Sequence, residues 1–421
     1  VLAAITCQGI SSSAVAAEPS CRLLTAARVF DGVNFPQTNM SVLVVGNKVS
    51  QIGTFAALKN RCSNRTNLGD ATILPGFIES HAHITFQNVN KKNVLEHGVT
   101  TAQDTGGPLL APQGGQGSLR LLSAGPIIQA AAGSDPDAFD QTATGYPLNI
   151  FAPGDLVGST NKIAMAVSTP EEAVALVDTL VAGGASAIKI SLEPGGEDGA
   201  PWMQPHNHGD VVPATPWPML PLEVVEAIVG EAHLHGKRVI AHVGEAVGFE
   251  RAVIAAVDEL AHMPCAPIPE ELIHEAIESG ITFVTTMDTL ASCHLGIHEN
   301  THVLNHHMDP DPLNPGAALP SIIYGSEIGH DNVPWGINGE EMHLILHNLS
   351  GAAIGFDDVV NAFKSATSEA GARLGIPGLG TLAPNAPADI IAVKGNPFER
   401  FKILEYPDLV MSGGKVVVNK F

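Results

Sequence analysis

Hydrophobic and polar residues alternate along short segments near both ends of the chain. A period of two is typical of β-strands, and Gly, Asn and Pro turns separate these segments. The predicted strands are residues 23–30, 41–45 and 48–52 on one side, and 389–393, 409–411 and 415–418 on the other. We expect both groups to meet in one small β-sandwich domain, formed by residues 18–76 and 381–421.

The long middle segment alternates between strands and amphipathic helices. The predicted helices are residues 170–183, 221–235, 246–256, 269–279 and 356–374, and the predicted strands are 187–191, 238–243, 259–262, 281–285 and 321–325. Repeated β–α units predict an α/β fold with a (β/α)8 TIM-like barrel over residues 77–380. A doubly wound sheet is the alternative, although no Gly-rich nucleotide loop opens any unit.

Composition narrows the class of protein. Apolar residues make up 45% of the 421 residues and charged residues 15%, which indicates a large buried core. The net charge is −22, which argues against a nucleic-acid partner. No stretch is long and apolar enough for a transmembrane helix, so we expect no membrane partner.

The first residues and the cysteines suggest export. Residues 1–17 resemble the rear part of a secretory signal peptide, with small residues at Ala14-Val15-Ala16, although a small-residue leader is the alternative. We therefore expect a secreted protein, extracellular or periplasmic. In such a compartment Cys21 and Cys62, which bracket one β-rich segment, should form a disulfide. Cys265 and Cys293 could pair or remain thiols.

The stretch GFIESHAHITF at residues 76–86 contains the first candidate chemistry. Side chains alternate between the two faces of a strand, so His81 and His83 should face the same way. Two imidazoles on one side of a strand end can bind one metal ion. Taken alone, the pair could equally be two ordinary histidines near a turn.

Further polar residues recur at the ends of later predicted strands. They are Lys189, His242, His262 and Glu327. A lysine inside an apolar strand is costly unless it is paired or modified. Because the carboxyl ends of barrel strands build the active site, these residues and the two earlier histidines together predict a metal site.

Four motifs then carry a resemblance to a known family. They are GFIESHAHITF, HGVTTAQDTGG at 97–107, ATSEAGARLGI at 366–376 and GTLAPNAPADIIAVKGNP at 380–397. Over roughly residues 22–420 the chain resembles the amidohydrolase superfamily, in particular imidazolonepropionase-like hydrolases and metal-dependent dipeptidases.

The resemblance implies a ligand set and a reaction. His81 and His83 would bind a first metal ion, and His242 and His262 a second. Lys189 would be carboxylated and bridge two ions, with Zn²⁺ as the default and Mn²⁺ or another divalent metal as options. A hydroxide held between the ions would attack the substrate. The residues expected to be catalytic are Glu327, Lys189 and His262.

Two positions depart from the family pattern. Glu327 stands where an aspartate is usual, and Asp331 could take that role instead. The departure leaves open a catalytically weakened barrel that only binds a small molecule. His242-Val243-Gly244-Glu245 resembles the HxGE motif of adenosine-deaminase-like enzymes, so a single-metal deaminase is a further alternative. Glu245 could also simply face solvent at the start of a helix.

The sequence therefore predicts an amidohydrolase that cleaves a C–N bond in an amide, cyclic amide or peptide-like small molecule. A dipeptidase is the narrower option, weakened because the predicted strand-end loops past Arg120 lack an arginine for a free carboxylate. Trp202, His206, His208 and Trp335 are candidates for the pocket wall. We also expect a homo-oligomer.

Overall fold

The computed structural model describes residues 20–130, 164–192, 219–290, 294–309, 314, 316–330 and 332–421. The strands are β1 (Cys21–Val29), β2 (Gln37–Val45), β3 (Lys48–Thr54), β4 (Arg65–Asn67), β5 (Ala71–Pro75), β6 (Phe77–Ala82), β7 (Val99–Asp104), β8 (Arg120–Ser123), β9 (Ile127–Ala130), β10 (Ala164–Val167), β11 (Ile188–Ser191), β12 (Val239–His242), β13 (Glu259–Ala261), β14 (Thr282–Val284), β15 (Ser321–Ile323), β16 (Ile390–Lys394), β17 (Leu409–Ser412) and β18 (Lys415–Asn419). The helices are α1 (Phe55–Leu58), α2 (Lys91–Glu96), α3 (Pro170–Ala182), α4 (Leu222–Leu234), α5 (Ala246–Ile254), α6 (Glu270–Glu278), α7 (His294–His306), α8 (Gly339–Asn348), α9 (Phe356–Ser365) and α10 (Ser368–Arg373), and a 3-10 helix covers Phe401–Glu405. The expected signal-peptide segment, residues 1–17, lies outside the described residues.

Strands from both chain ends share one mixed sheet. Its order is β18-β17-β16-β5-β1-β2-β3, and β4 pairs with β1. The ends join where β16 runs antiparallel to β5, with Ile390 opposite Pro75. Leu24, Ile73 and Met411 are fully buried in the apolar core of this sheet. The folding of the sheet into a sandwich stays a prediction.

The Cys21–Cys62 disulfide is confirmed. It joins the start of β1 to the segment after α1, with 5.8 Å between the two Cα atoms and a sequence separation of 41 residues. Both cysteines pack with Leu23, Leu43 and Leu58. Cys265 is also disulfide-bonded, and Cys293 lies outside the described residues.

We expect a Cys21→Ala/Cys62→Ala protein to be less stable than the oxidised wild type. The loop that the bond closes in the unfolded chain gives a loss of roughly 4 kcal/mol in the loop-entropy model. Denaturant unfolding of the variant and of the oxidised wild type, both of which keep the Cys265 bond, measures this loss. Identical midpoints for these two proteins would contradict the expectation.

The other strands form two wholly parallel sheets. One has the order β6-β7-β8 and the other the order β10-β9-β11-β12-β13-β14-β15. A parallel bridge joins Ala82 of β6 to Ile328, beyond β15, and the His83 N–H donates to the Ile328 carbonyl at 2.7 Å. The strand that bears His81 therefore lies beside the segment that bears Glu327, and the predicted α/β class is confirmed.

Local sequence explains where helix α3 begins and what it packs against. Thr169 is the N-cap, and its hydroxyl accepts from the Glu172 N–H, while Pro170 opens the first turn. Ala173, Val177 and Leu180 are buried on the inner face. The segment 170–182 is therefore helical as its pattern predicts.

One predicted helix is two helices in the structure. The segment 356–374 breaks between α9 and α10, where Thr367 has φ −131° and ψ −96°. The Thr367 hydroxyl donates to the Phe363 carbonyl at 2.6 Å, and such side-chain bonds compete with the helical pattern. The apolar period continues across the break, so the sequence pattern does not show it.

Among the described residues, no helix has the length and apolar character needed to cross a membrane.

Candidate metal centre

The predicted histidines meet where the parallel strands end. His81 lies in β6 and His242 ends β12, while His262 directly follows β13. The ring centroids of His81 and His83 are 5.2 Å apart, those of His81 and His262 4.6 Å, and those of His242 and His262 4.7 Å. The structure thus brings all four predicted imidazoles into one cluster.

Glu327 joins the same cluster. Its Oε1 lies 3.4 Å from His83 Nε2, and its Oε2 lies 3.9 Å from His262 Nδ1. His81, His262 and Glu327 each offer one ligand atom within 4.8 Å of the others. Asp331, the alternative carboxylate, lies outside the described residues.

Lys189 is buried beside the histidines, with 1% of its surface exposed. Burial lowers the pKa of His81 and His242 well below the ordinary value, and the charge of Lys189 lowers both further. Lys189 lies two residues before Ser191, the strand partner of His242, so it shares the face of the sheet that carries His242, as the strand pattern predicts.

The protonation states suit a divalent cation. Burial lowers the pKa of His262 to about 3, so that this imidazole, like those of His81 and His242, is neutral and can bind metal. Burial opposes ionisation of Glu327, but the hydrogen bond from His83 favours the carboxylate and helps to hold its pKa below the usual range. The cluster therefore combines neutral nitrogen donors with an anionic oxygen donor.

Several of these donor atoms are buried and make no hydrogen bond with the described part of the chain. They are His81 Nδ1, His83 Nδ1, His242 Nε2 and Glu327 Oε2. An unsatisfied buried polar atom costs about 1–3 kcal/mol, more if it is charged. A metal ion would satisfy these atoms, so the residues present fit the group that the resemblance implies.

Backbone strain turns one histidine toward the others. Ala187 and Ile240 each lie two residues before a site residue, Lys189 and His242 respectively, and so share its face of the sheet. Ala261 packs with both of them and therefore lies on that same face. In a regular strand His262 would face away from Ala261. Its φ of 75° breaks the alternation, and its ring lies against that of His81.

The same unfavourable backbone conformation recurs after each of the next two strands, β14 and β15. Thr286, beyond β14, has φ 45°, and Glu327, beyond β15, has φ 61°. Thr286 Oγ1 lies 2.8 Å from His262 Nδ1 and fixes that ring. Positive φ in non-glycine residues is uncommon and gathers at functional sites, because the surrounding structure must hold it.

Glu79 connects the two segments that bear His81 and Glu327. Its Oε1 accepts from the His81 N–H at 3.0 Å and from the Ser326 N–H at 2.8 Å, and its Oε2 accepts from the Ser326 hydroxyl at 2.7 Å. Sequence reasoning missed this residue. A signal existed, because Glu79 lies two residues before His81 in an apolar strand and so shares its face.

We expect Glu79→Ala to weaken metal binding about 10–100-fold, the usual effect of losing a residue that orients ligands. The measurement is metal affinity by chelator competition. Glu341→Ala is the matched control, because Glu341 is also fully buried but bonds Thr285 and Asp288 instead. If both variants fold and lose the same metal affinity, the contacts of Glu79 have no specific role in metal binding.

Other residues near the site were also missed or lie elsewhere. Thr105 Oγ1 is 3.2 Å from His81 Nε2, and His330 contributes to the lowered pKa of Glu327. Glu245, proposed as a proton carrier in the deaminase alternative, is the N-cap of α5 and makes no capping bond through its side chain. Trp335 is 41% exposed, and the other pocket candidates, Trp202, His206 and His208, are outside the described residues.

Several solved structures share the fold of this chain. Ochratoxinase from A. niger has a TM-score of 0.71 at 18% identity, covering 96% of this chain and 97% of its own. A Xaa-Pro dipeptidase with bound methionine has a TM-score of 0.69 at 21% identity, and the match covers 94% of this chain and 99% of the dipeptidase. An amidohydrolase has a TM-score of 0.68 at 19% identity, and the match covers 95% of this chain and 99% of the amidohydrolase.

No protein-family model matches the sequence, and neither does any curated protein. At these identities the structural likeness establishes the fold alone, which is of the α/β class. The fold that the sequence motifs imply is therefore shared with these solved structures.

Proposed function

We propose that this protein is a metal-dependent hydrolase that cleaves a C–N bond in an amide, cyclic amide or peptide-like small molecule. The observation that carries the proposal is the convergence of four histidines, Lys189 and Glu327 where the parallel strands end. The solved structures with the same fold include a dipeptidase and an amidohydrolase, which agrees with this class.

The ligand set favours two divalent ions, Zn²⁺ by preference or Mn²⁺. His81 and His83 would hold one ion and His242 and His262 the other, with carboxylated Lys189 between them and Glu327 as a further ligand to the first. When bound, such ions provide a nucleophile at neutral pH and polarise a carbonyl oxygen.

Glu327 is the proposed proton carrier. Its carboxyl stays ionised in the buried site, with 8% of its surface exposed, so it can accept a proton from the attacking water. The same carboxyl then returns the proton to the leaving nitrogen. His83 Nε2 lies 3.4 Å from Glu327 Oε1 and orients the carboxylate, while His262, whose Nδ1 bonds the Thr286 hydroxyl at 2.8 Å, lines the same site.

The architecture that would support this chemistry is a closed barrel. We propose that residues 77–380 close it, because the Ser186 N–H, ahead of β11, donates to the Ser123 carbonyl of β8 at 2.8 Å, and the Ala82–Ile328 bridge joins β6 to the segment after β15. Residues 18–76 and 381–421 would form the second domain. The Cys21–Cys62 bond supports the proposal of a secreted protein, and homo-oligomers remain our expectation.

Metal analysis and a substrate panel test the function. We expect about two divalent ions per purified chain and hydrolysis of dipeptides or N-acyl amino acids. A chelator should abolish turnover, and Zn²⁺ or Mn²⁺ should restore it. Protein that holds no metal even after reconstitution would overturn the proposal.

A further inference from the structure

Helix α7 carries a row of histidines on its solvent side. The inner side of the helix is buried at Ile297, Asn300, Thr301 and Leu304. The exposed positions include His298, His302 and His306, spaced four residues apart. This spacing stacks side chains along one face of a helix. The ring centroids are 6.4 Å apart for His298 and His302 and 4.3 Å apart for His302 and His306.

The helix is held firmly at the middle of this row. The Asn300 side-chain amide donates to the carbonyls of Pro264 and Ala266 at 2.9 Å, and its oxygen accepts from the Ile268 N–H at 2.8 Å. These bonds fix α7 to the segment that follows β13. A rigid helix keeps the imidazoles close together, which reduces the ordering cost of binding a ligand between them.

Neither packing nor charge pairing accounts for the row. The three imidazoles face away from the buried side of α7, and none of the ion pairs formed by the described residues includes them. By contrast His233, on α4, binds the Asp258 carboxylate at 2.9 Å.

We propose that His302 and His306 bind one divalent transition-metal ion, such as Ni²⁺, Cu²⁺ or Zn²⁺, on the protein surface. Two histidines four residues apart on one helix face are a recognised metal-binding arrangement, and imidazole suits these ions. His298, one turn earlier, extends the row, and water completes the coordination. The net charge of −22 raises the local concentration of cations.

The site is separate from the centre around His81, and its test does not use hydrolysis. Untagged full-length protein is first saturated with Zn²⁺ and freed of excess metal, and then dialysed against Ni²⁺. Bound Ni²⁺ is counted by elemental analysis in the wild type and in His302→Ala/His306→Ala. Circular dichroism verifies that the variant keeps its helices.

We expect the variant to bind about one Ni²⁺ ion per chain fewer than the wild type at low micromolar Ni²⁺. The control is His233→Ala, which removes an exposed histidine of α4. The control should keep the ion. The proposal is overturned if His302→Ala/His306→Ala binds as much Ni²⁺ as the wild type, or if the control loses as much as that variant.

Discussion

Replacing Glu327 by Gln should reduce kcat by about 10²–10⁴-fold, the usual contribution of a general acid–base group. Glutamine keeps the size of the side chain but cannot carry a proton between water and the leaving nitrogen. Its neutral amide is also a weaker ligand beside His83 and His262, which contact the carboxylate at 3.4 and 3.9 Å. Steady-state kinetics measure the loss of kcat, and metal analysis of the same preparations measures the loss of bound metal.

Two further variants define the role of this carboxylate. Glu327→Asp should be milder than Glu327→Gln, because it keeps the charge but leaves a gap in a buried pocket. Asp331→Asn should be nearly silent. The reverse ranking, with Asp331 essential and Glu327 dispensable, would place the functional carboxylate four residues further along the chain.

Lys189→Met should leave at most one tightly bound metal ion per chain and remove most hydrolytic activity. Methionine preserves the length of the buried side chain, which is 1% exposed, but lacks the amine that would carry the carboxylate between two ions. Elemental analysis and activity with added Zn²⁺ give the result. Ile190→Ala is the control, because Ile190 is buried on the opposite face of the same strand.

The outcome also separates two kinds of enzyme. A Lys189→Met protein that keeps one ion and full turnover would favour a single-metal deaminase over a hydrolase with a bridged pair. A folded variant that keeps two ions would instead show that Lys189 is not the bridging ligand.

Strand periodicity was sufficient to predict the neighbourhood of most site residues. His81, Lys189 and His242 lie within or at the end of strands that the apolar pattern indicated, so their common location followed from the parallel arrangement of those strands. The position of His262 is a different case. Simple alternation places its side chain on the wrong face, and only the positive φ, which no pattern reports, turns it inward.

Local sequence patterns do not predict side-chain contacts between segments that are far apart in the chain. Glu79 binds Ser326 across 247 residues, and nothing in either local pattern specifies that pairing. Helices α7 and α8 were also missed. In α7, polar Asn300 and Thr301 occupy the buried side because they bond backbone carbonyls, which disrupts the apolar period that would reveal a helix.

The mixed sheet can be completed only after nearly the whole chain has been synthesised, because β5 pairs with β16. All five residues of β5 are buried, and β16 covers one edge of that strand, where the Thr72 hydroxyl bonds the Gly395 carbonyl across 323 residues. At usual translation rates a ribosome needs roughly 16–65 seconds to make the intervening chain. Until β16 has been made, the backbone groups along that side of β5 lack their strand partner, and an unpaired edge of this kind is the feature through which unfinished chains can pair with one another.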